Sequence, residues 1–103
     1  MTKFALDKAV GVSFGDCQNV IRNLKTGDDL KLVREPENPV DKNAVRIEDA
    51  RGHKVGYVKR DGWLSKVVNE RHIVPKVQVY QVTGGGEGRN LGVVMKVLQE
   101  SAE

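Results

Sequence analysis

Apolar residues in this chain recur at every second position in short runs, as in LKLVRE (30–35), KVGYVKR (54–60) and KVQVYQV (76–82), and turn-forming residues stand between the runs. A side-chain period of two belongs to strands that bury one face. Uninterrupted apolar runs reach only three or four residues, against the roughly 20 that a membrane-crossing helix needs. The spacing thus predicts a mainly β fold of five to six short antiparallel strands, closing into a small, partly open barrel of the OB-like kind.

Residues 4–14 alternate with Val10, Val12 and Phe14 on one side, which predicts a first strand; Gly11 and Gly15 invite a bend in it. Asp16 is placed to cap a two-turn helix carrying Val20, Ile21 and Leu24 and stopped by Gly27. LKLVRE and AVRIED are two further strands, and ARGH around Gly52 is a tight turn into KVGYVKR. Asp61 is placed to cap a second helix, with Leu64, Val67, Val68 and Arg71 on one face. Pro75 ends the connection, and in KVQVYQV the residues Val77, Val79 and Gln81 share a face. LGVVMKVLQ is the last strand, and the charged ESAE tail, with 99–103 as its frayed end, is expected to be loose.

With 103 residues, 39% hydrophobic and 30% charged, the chain is expected to form one domain, 1–103. Cys17 is the only cysteine, so an intramolecular disulfide is excluded, in keeping with a reducing, cytoplasmic setting. The two histidines, His53 and His72, stand at no zinc-finger spacing, and neither metal nor cofactor is expected. No apolar leader or membrane segment is expected. The net charge of +3 permits contact with a polyanion without requiring it. Gly84, Gly85, Gly86 and Gly88 cluster as a phosphate loop would, but the spacing fits neither phosphate-binding fingerprint and a strand follows where a helix should. That run reads as a hairpin loop, with Arg89 within it. Asp28, Asp29, Glu48 and Asp49 sit at turns and strand ends where solvated charge is ordinary, and no catalytic residue is assigned.

The most specific stretch is REPENPVDKNAVRI (34–47). Pro36 and Pro39 restrict the backbone before them, and Asn38, Asp41 and Asn43 are each able to close a turn on themselves. Together with the Gly-Tyr strand and the helix start that follow, LVREPENPVDKNAVRIEDARGHKVGYVKRD resembles the core of the HIRAN domain, best matched over residues 9–71. The resemblance implies a modified OB barrel, a free-standing member of the family, and a module that grips the 3′ end of single-stranded DNA beside a DNA-dependent ATPase or another repair protein.

Carried over by position, Asn38 and Asp41 match the polar pair that meets the terminal nucleotide, and Phe14 matches an aromatic that stacks on the end base. Lys59 and Arg60 match basic positions near the phosphates, and the helix start at Asp61 and Gly62 would offer backbone N–H groups. Val40 replaces a second aromatic, and Ser13 and Gly15 replace a basic residue and a tyrosine. Tyr57 is the residue placed to restore an aromatic or hydroxyl contact. Three alternatives stay open: Phe14 in the core, Tyr57 as a half-buried strand residue, and a protein-binding adaptor presenting Val40 and Trp63.

Overall fold

The computed structural model describes residues 2–100. Its elements are β1 (Thr2–Lys8), α1 (Cys17–Arg22), β2 (Asp29–Arg34), β3 (Val45–Asp49), β4 (Lys54–Tyr57), α2 (Trp63–Glu70), β5 (Lys76–Gly84) and β6 (Leu91–Glu100). The six strands form one antiparallel sheet in the order β1-β6-β5-β2-β3-β4. Period-two alternation is obeyed where it was strongest: Leu30 and Leu32 of β2 and Val77 and Val79 of β5 are buried. With Val45, Ile47, Val93, Met95 and Val97 they line one core, onto which α1 lowers Ile21 and α2 lowers Leu64 and Val68. Each fully buried aliphatic of this kind contributes about 1.5–3 kcal/mol.

The sheet is not closed by a full ladder. Just past β1, Val10 and Tyr57 exchange backbone hydrogen bonds, each 2.8 Å, and among the described residues this single bridge joins the two edges of the sheet. Partial closure is what the alternation predicted. The seam is tight: a Cβ on Gly56 would stand 2.6 Å from the Val10 carbonyl oxygen and 3.2 Å from Val12.

Four local expectations are corrected. The first strand ends at Lys8 and does not run to Phe14, because Gly11 (φ +66°) and Gly15 (φ +56°) turn the backbone out of extended geometry. Asp16 stands at the start of α1 but makes no capping bond; its Oδ1 accepts from Asn19 Nδ2 at 2.6 Å. Gly62 holds the cap position of α2, and Asp61 before it adopts φ +59°, which places its side chain outside the capping position. A bulge between Val79 and Gln81 shifts the register against β6, so Gln81 is exposed and Val82 packs toward the core instead.

The turn around Gly52 joins β3 to β4 as expected, with its N–H donated to Asp49 O at 3.1 Å. The glycine run belongs to the β5–β6 hairpin, its connection spanning 85–90. Gln18 of α1 stitches that hairpin to the segment after β1: Nε2 donates to the carbonyls of Val12 (2.8 Å) and Leu91 (3.0 Å), and Oε1 accepts the Leu91 amide (2.8 Å). Of the expected frayed tail, residues 101–103 lie outside the described residues, and Glu100 is the last of β6.

Candidate nucleic-acid interface

The connection from β2 to β3 is a loop that satisfies itself. Glu35 N–H donates to Ala44 O (2.9 Å), Asn38 N–H to Glu35 O (2.9 Å) and Ala44 N–H to Asp41 O (3.1 Å). Asn38 Oδ1 accepts the amides of Val40 (2.9 Å) and Asp41 (3.1 Å), and Asp41 Oδ1 accepts the amide of Asn43 (2.9 Å). These are the short-range turns that Asn and Asp side chains favour. Asn38 therefore serves its own loop first, while Asp41 turns its second oxygen toward Arg60, 3.8 Å from Nε. Val40 stands at the tip, 82% exposed.

One residue that the sequence reading overlooked anchors this loop to the sheet. Glu35 Oε1 accepts from Asn38 Nδ2 and from the Tyr57 hydroxyl, both at 2.9 Å, and Oε2 pairs with Arg46 Nη1 at 2.9 Å. Burial pushes the Glu35 carboxyl up, but the bonds from Asn38 and Tyr57 and the Arg46 charge outweigh it and hold the group below the usual carboxylate range. Arg46 in turn donates from Nε to Glu48 at 2.7 Å. The loop is also tied to α2, because Asn69 Nδ2 donates to Asn43 O (2.9 Å) and Asn69 Oδ1 accepts from Arg34 Nε (3.2 Å).

Phe14 is 70% exposed, so its place is at the surface and not in the core. A methyl group on Gly11 would lie 3.6 Å from the Tyr57 ring and 3.8 Å from the Phe14 ring, so both rings border the same glycine. Lys54 Nζ stands 5.1 Å from the centroid of the Tyr57 ring, within cation–π range. Tyr57 is half-buried, as its place in a strand suggested, and is thereby held by its hydroxyl and by one face.

Lys59 and Arg60 are exposed at the strand–helix junction. The Gly62 N–H, expected to face a phosphate, donates instead to Lys59 O at 3.2 Å, and closes the turn into α2. Across the seam lies Asp7, with Oδ1 accepting the Lys8 amide at 3.0 Å and Oδ2 buried without a partner among the described residues. Burial pushes its carboxyl up, and the Lys8 amide and the Lys59 charge pull it part of the way back. Thus Asp41 and Tyr57 are joined to the 35–44 loop, Arg60 stands beside Asp41, Phe14 borders Gly11 next to Tyr57, and the Lys59 charge acts on Asp7.

A family model described as "HIRAN domain" matches residues 8–100. The chain belongs to the HIRAN domain family. The crystal structure of the HIRAN domain of human HLTF superposes with a TM-score of 0.62 at 21% identity, covering 94% of this chain and 76% of that one. A protein from Lactobacillus plantarum superposes with a TM-score of 0.63 at 19% identity, covering 97% of this chain and all of that one (100%). At these identities the likeness shows the fold. The helicase-like transcription factors of Mus musculus and Oryctolagus cuniculus are each 50% identical to this HIRAN domain over 32 residues, 31% of the chain but 3% of those proteins.

Proposed function

We propose that this HIRAN domain is a nucleic-acid-binding module that takes single-stranded DNA and performs no chemistry on it. The observation that carries the reading is the exposed Phe14 ring, bordering the same glycine as Tyr57, whose own ring carries Lys54 Nζ at 5.1 Å from its centroid. A ring left in water suits a base with a free face, which an unpaired strand offers at every nucleotide and a duplex only at its ends. Stacking of one base on such a ring is worth about 1–3 kcal/mol. The partner enzyme in this reading is a DNA-dependent ATPase or another repair protein.

The finer proposal is that the bound terminus is a 3′-hydroxyl, read by Asp41. The carboxylate accepts a hydrogen bond from a hydroxyl and repels a 3′-phosphate by like charge. Arg60, 3.8 Å away, holds that oxygen at the loop rim and stands ready for the adjoining phosphate. Asp41→Asn keeps an acceptor for the Asn43 amide, removes the charge and replaces the oxygen that faces Arg60 with an NH2 donor. Its expected result is a loss of roughly tenfold in the preference for 3′-hydroxyl over 3′-phosphate strands, read by fluorescence anisotropy. An unchanged preference removes Asp41 from end recognition.

Val40 at 82% and Trp63 at 39% exposure favour one other reading, an adaptor that offers apolar side chains to a protein. Binding through apolar surface would be nearly indifferent to salt, whereas phosphate contacts are not.

A further inference from the structure

The polar turn and the aromatic pair come from distant parts of the chain, yet they share one carboxylate. Glu35 Oε1 receives both the Asn38 carboxamide and the Tyr57 hydroxyl at 2.9 Å. Arg46 fixes the other oxygen at 2.9 Å, so the carboxylate has little freedom to follow either partner alone. Glu35 itself is half-buried beneath the loop, not at the rim. A ring whose hydroxyl is tethered and whose face is covered by Lys54 presents its remaining surface in one orientation, toward Gly11 and Phe14. A preset ring loses less freedom on binding than a loose one.

We infer that Glu35 is a positioning residue of the interface: it fixes Tyr57 as the second ring beside Phe14, in place of an aromatic at Val40, and locks the Asn38 turn to that ring. This inference rests on the nucleic-acid reading above. Glu35 makes no contact with the strand and acts through Tyr57 and Asn38.

The test is a mutant cycle read by anisotropy on a labelled ten-nucleotide DNA strand. Glu35→Ala should weaken binding about tenfold and Tyr57→Phe about threefold, and Tyr57→Phe made on top of Glu35→Ala should cost nothing more. Glu35→Gln, which keeps one oxygen for Tyr57 and Asn38 but turns an NH2 group toward Arg46, should recover part of the affinity lost in Glu35→Ala and stands in if the alanine variant melts below the assay temperature. A second reading needs no ligand. Burial raises the Tyr57 phenol first, and the bond to Glu35 and its charge raise it further. In a Tyr80→Phe background, which leaves one tyrosine, Glu35→Gln should lower the pH at which phenolate absorbance appears.

Tyr57→Phe costing the same factor in both backgrounds, or Glu35→Gln binding as weakly as Glu35→Ala, overturns the positioning role while the nucleic-acid reading stands. A wild-type chain that binds no strand overturns that reading, and the interface role of Glu35 with it. An unmoved phenol titration overturns the Glu35–Tyr57 link by itself.

Discussion

Gly56→Ala should lower the melting temperature by about 10–20 °C. The added Cβ would meet the Val10 carbonyl oxygen at 2.6 Å, a backbone atom that cannot swing aside as a side-chain end can. Relief requires β4 and the segment after β1 to separate, which breaks the two 2.8 Å hydrogen bonds between Val10 and Tyr57. Overpacking of this kind costs about 2–3 kcal/mol, and in a domain of this size each kcal/mol moves the midpoint by about 4–8 °C. Because that bridge alone joins the two sheet edges among the described residues, no neighbouring ladder shares the load. A thermal melt followed by circular dichroism measures it. A midpoint within 2 °C or so of wild type would mean that the seam opens freely and that closure contributes little to stability.

The opposite signature is expected of Phe14→Ala. A side chain that is 70% exposed has little burial to lose, so the melting temperature should stay within about 3 °C of wild type. Affinity for single-stranded DNA should nonetheless fall about tenfold or more, the equivalent of one lost base stack. Isothermal titration calorimetry or anisotropy reads the affinity on the same preparation that gives the melt. Unchanged affinity with an intact fold would take Phe14 out of the interface and leave Tyr57 without a stacking partner.

These two variants also divide what was legible in the sequence from what was not. The strands from Leu30 to Arg34, Val45 to Asp49 and Lys76 onward were readable, because burying one sheet face imposes a period of two on consecutive residues. The end of β1 was not, since Val12 and Phe14 keep the alternation after Val10, the last residue that the backbone ties to a strand. Only the positive φ of Gly11 breaks it, and a glycine in a strand pattern does not announce its own φ. The bulge at Gln81 was hidden for a similar reason: a register shift depends on the partner strand, here β6. Asp61 carried the right residue type for a helix cap, but the cap went to Gly62 once Asp61 took the left-handed conformation.

The site divides in the same way. The turns made by Asn38 and Asp41 follow from local side-chain chemistry, and the Pro-bearing loop advertised them. Glu35 gave no such signal. Its partners Asn38, Arg46 and Tyr57 sit in a loop and two different strands, and only the pairing of β2 with β3 and β3 with β4 brings them to one carboxylate. The same holds for Phe14 and Tyr57, which border the same glycine only because Val10 bridges β4. The family resemblance pointed to Asn38 as a ligand contact, and its carboxamide is also bonded to Glu35 and to the amides of Val40 and Asp41 within the loop.

Binding of single-stranded DNA is the central claim, and a salt series tests it most directly. A labelled ten-nucleotide strand and a blunt duplex of the same sequence are titrated with the protein, and anisotropy is followed as sodium chloride rises from about 50 to 200 mM. Contact with two or three phosphates predicts a log–log slope of about −1.4 to −2.1 for the single strand, with the duplex bound more weakly at every salt concentration. No binding of either DNA at tens of micromolar protein, or binding that is equal for the two and flat with salt, would contradict the account.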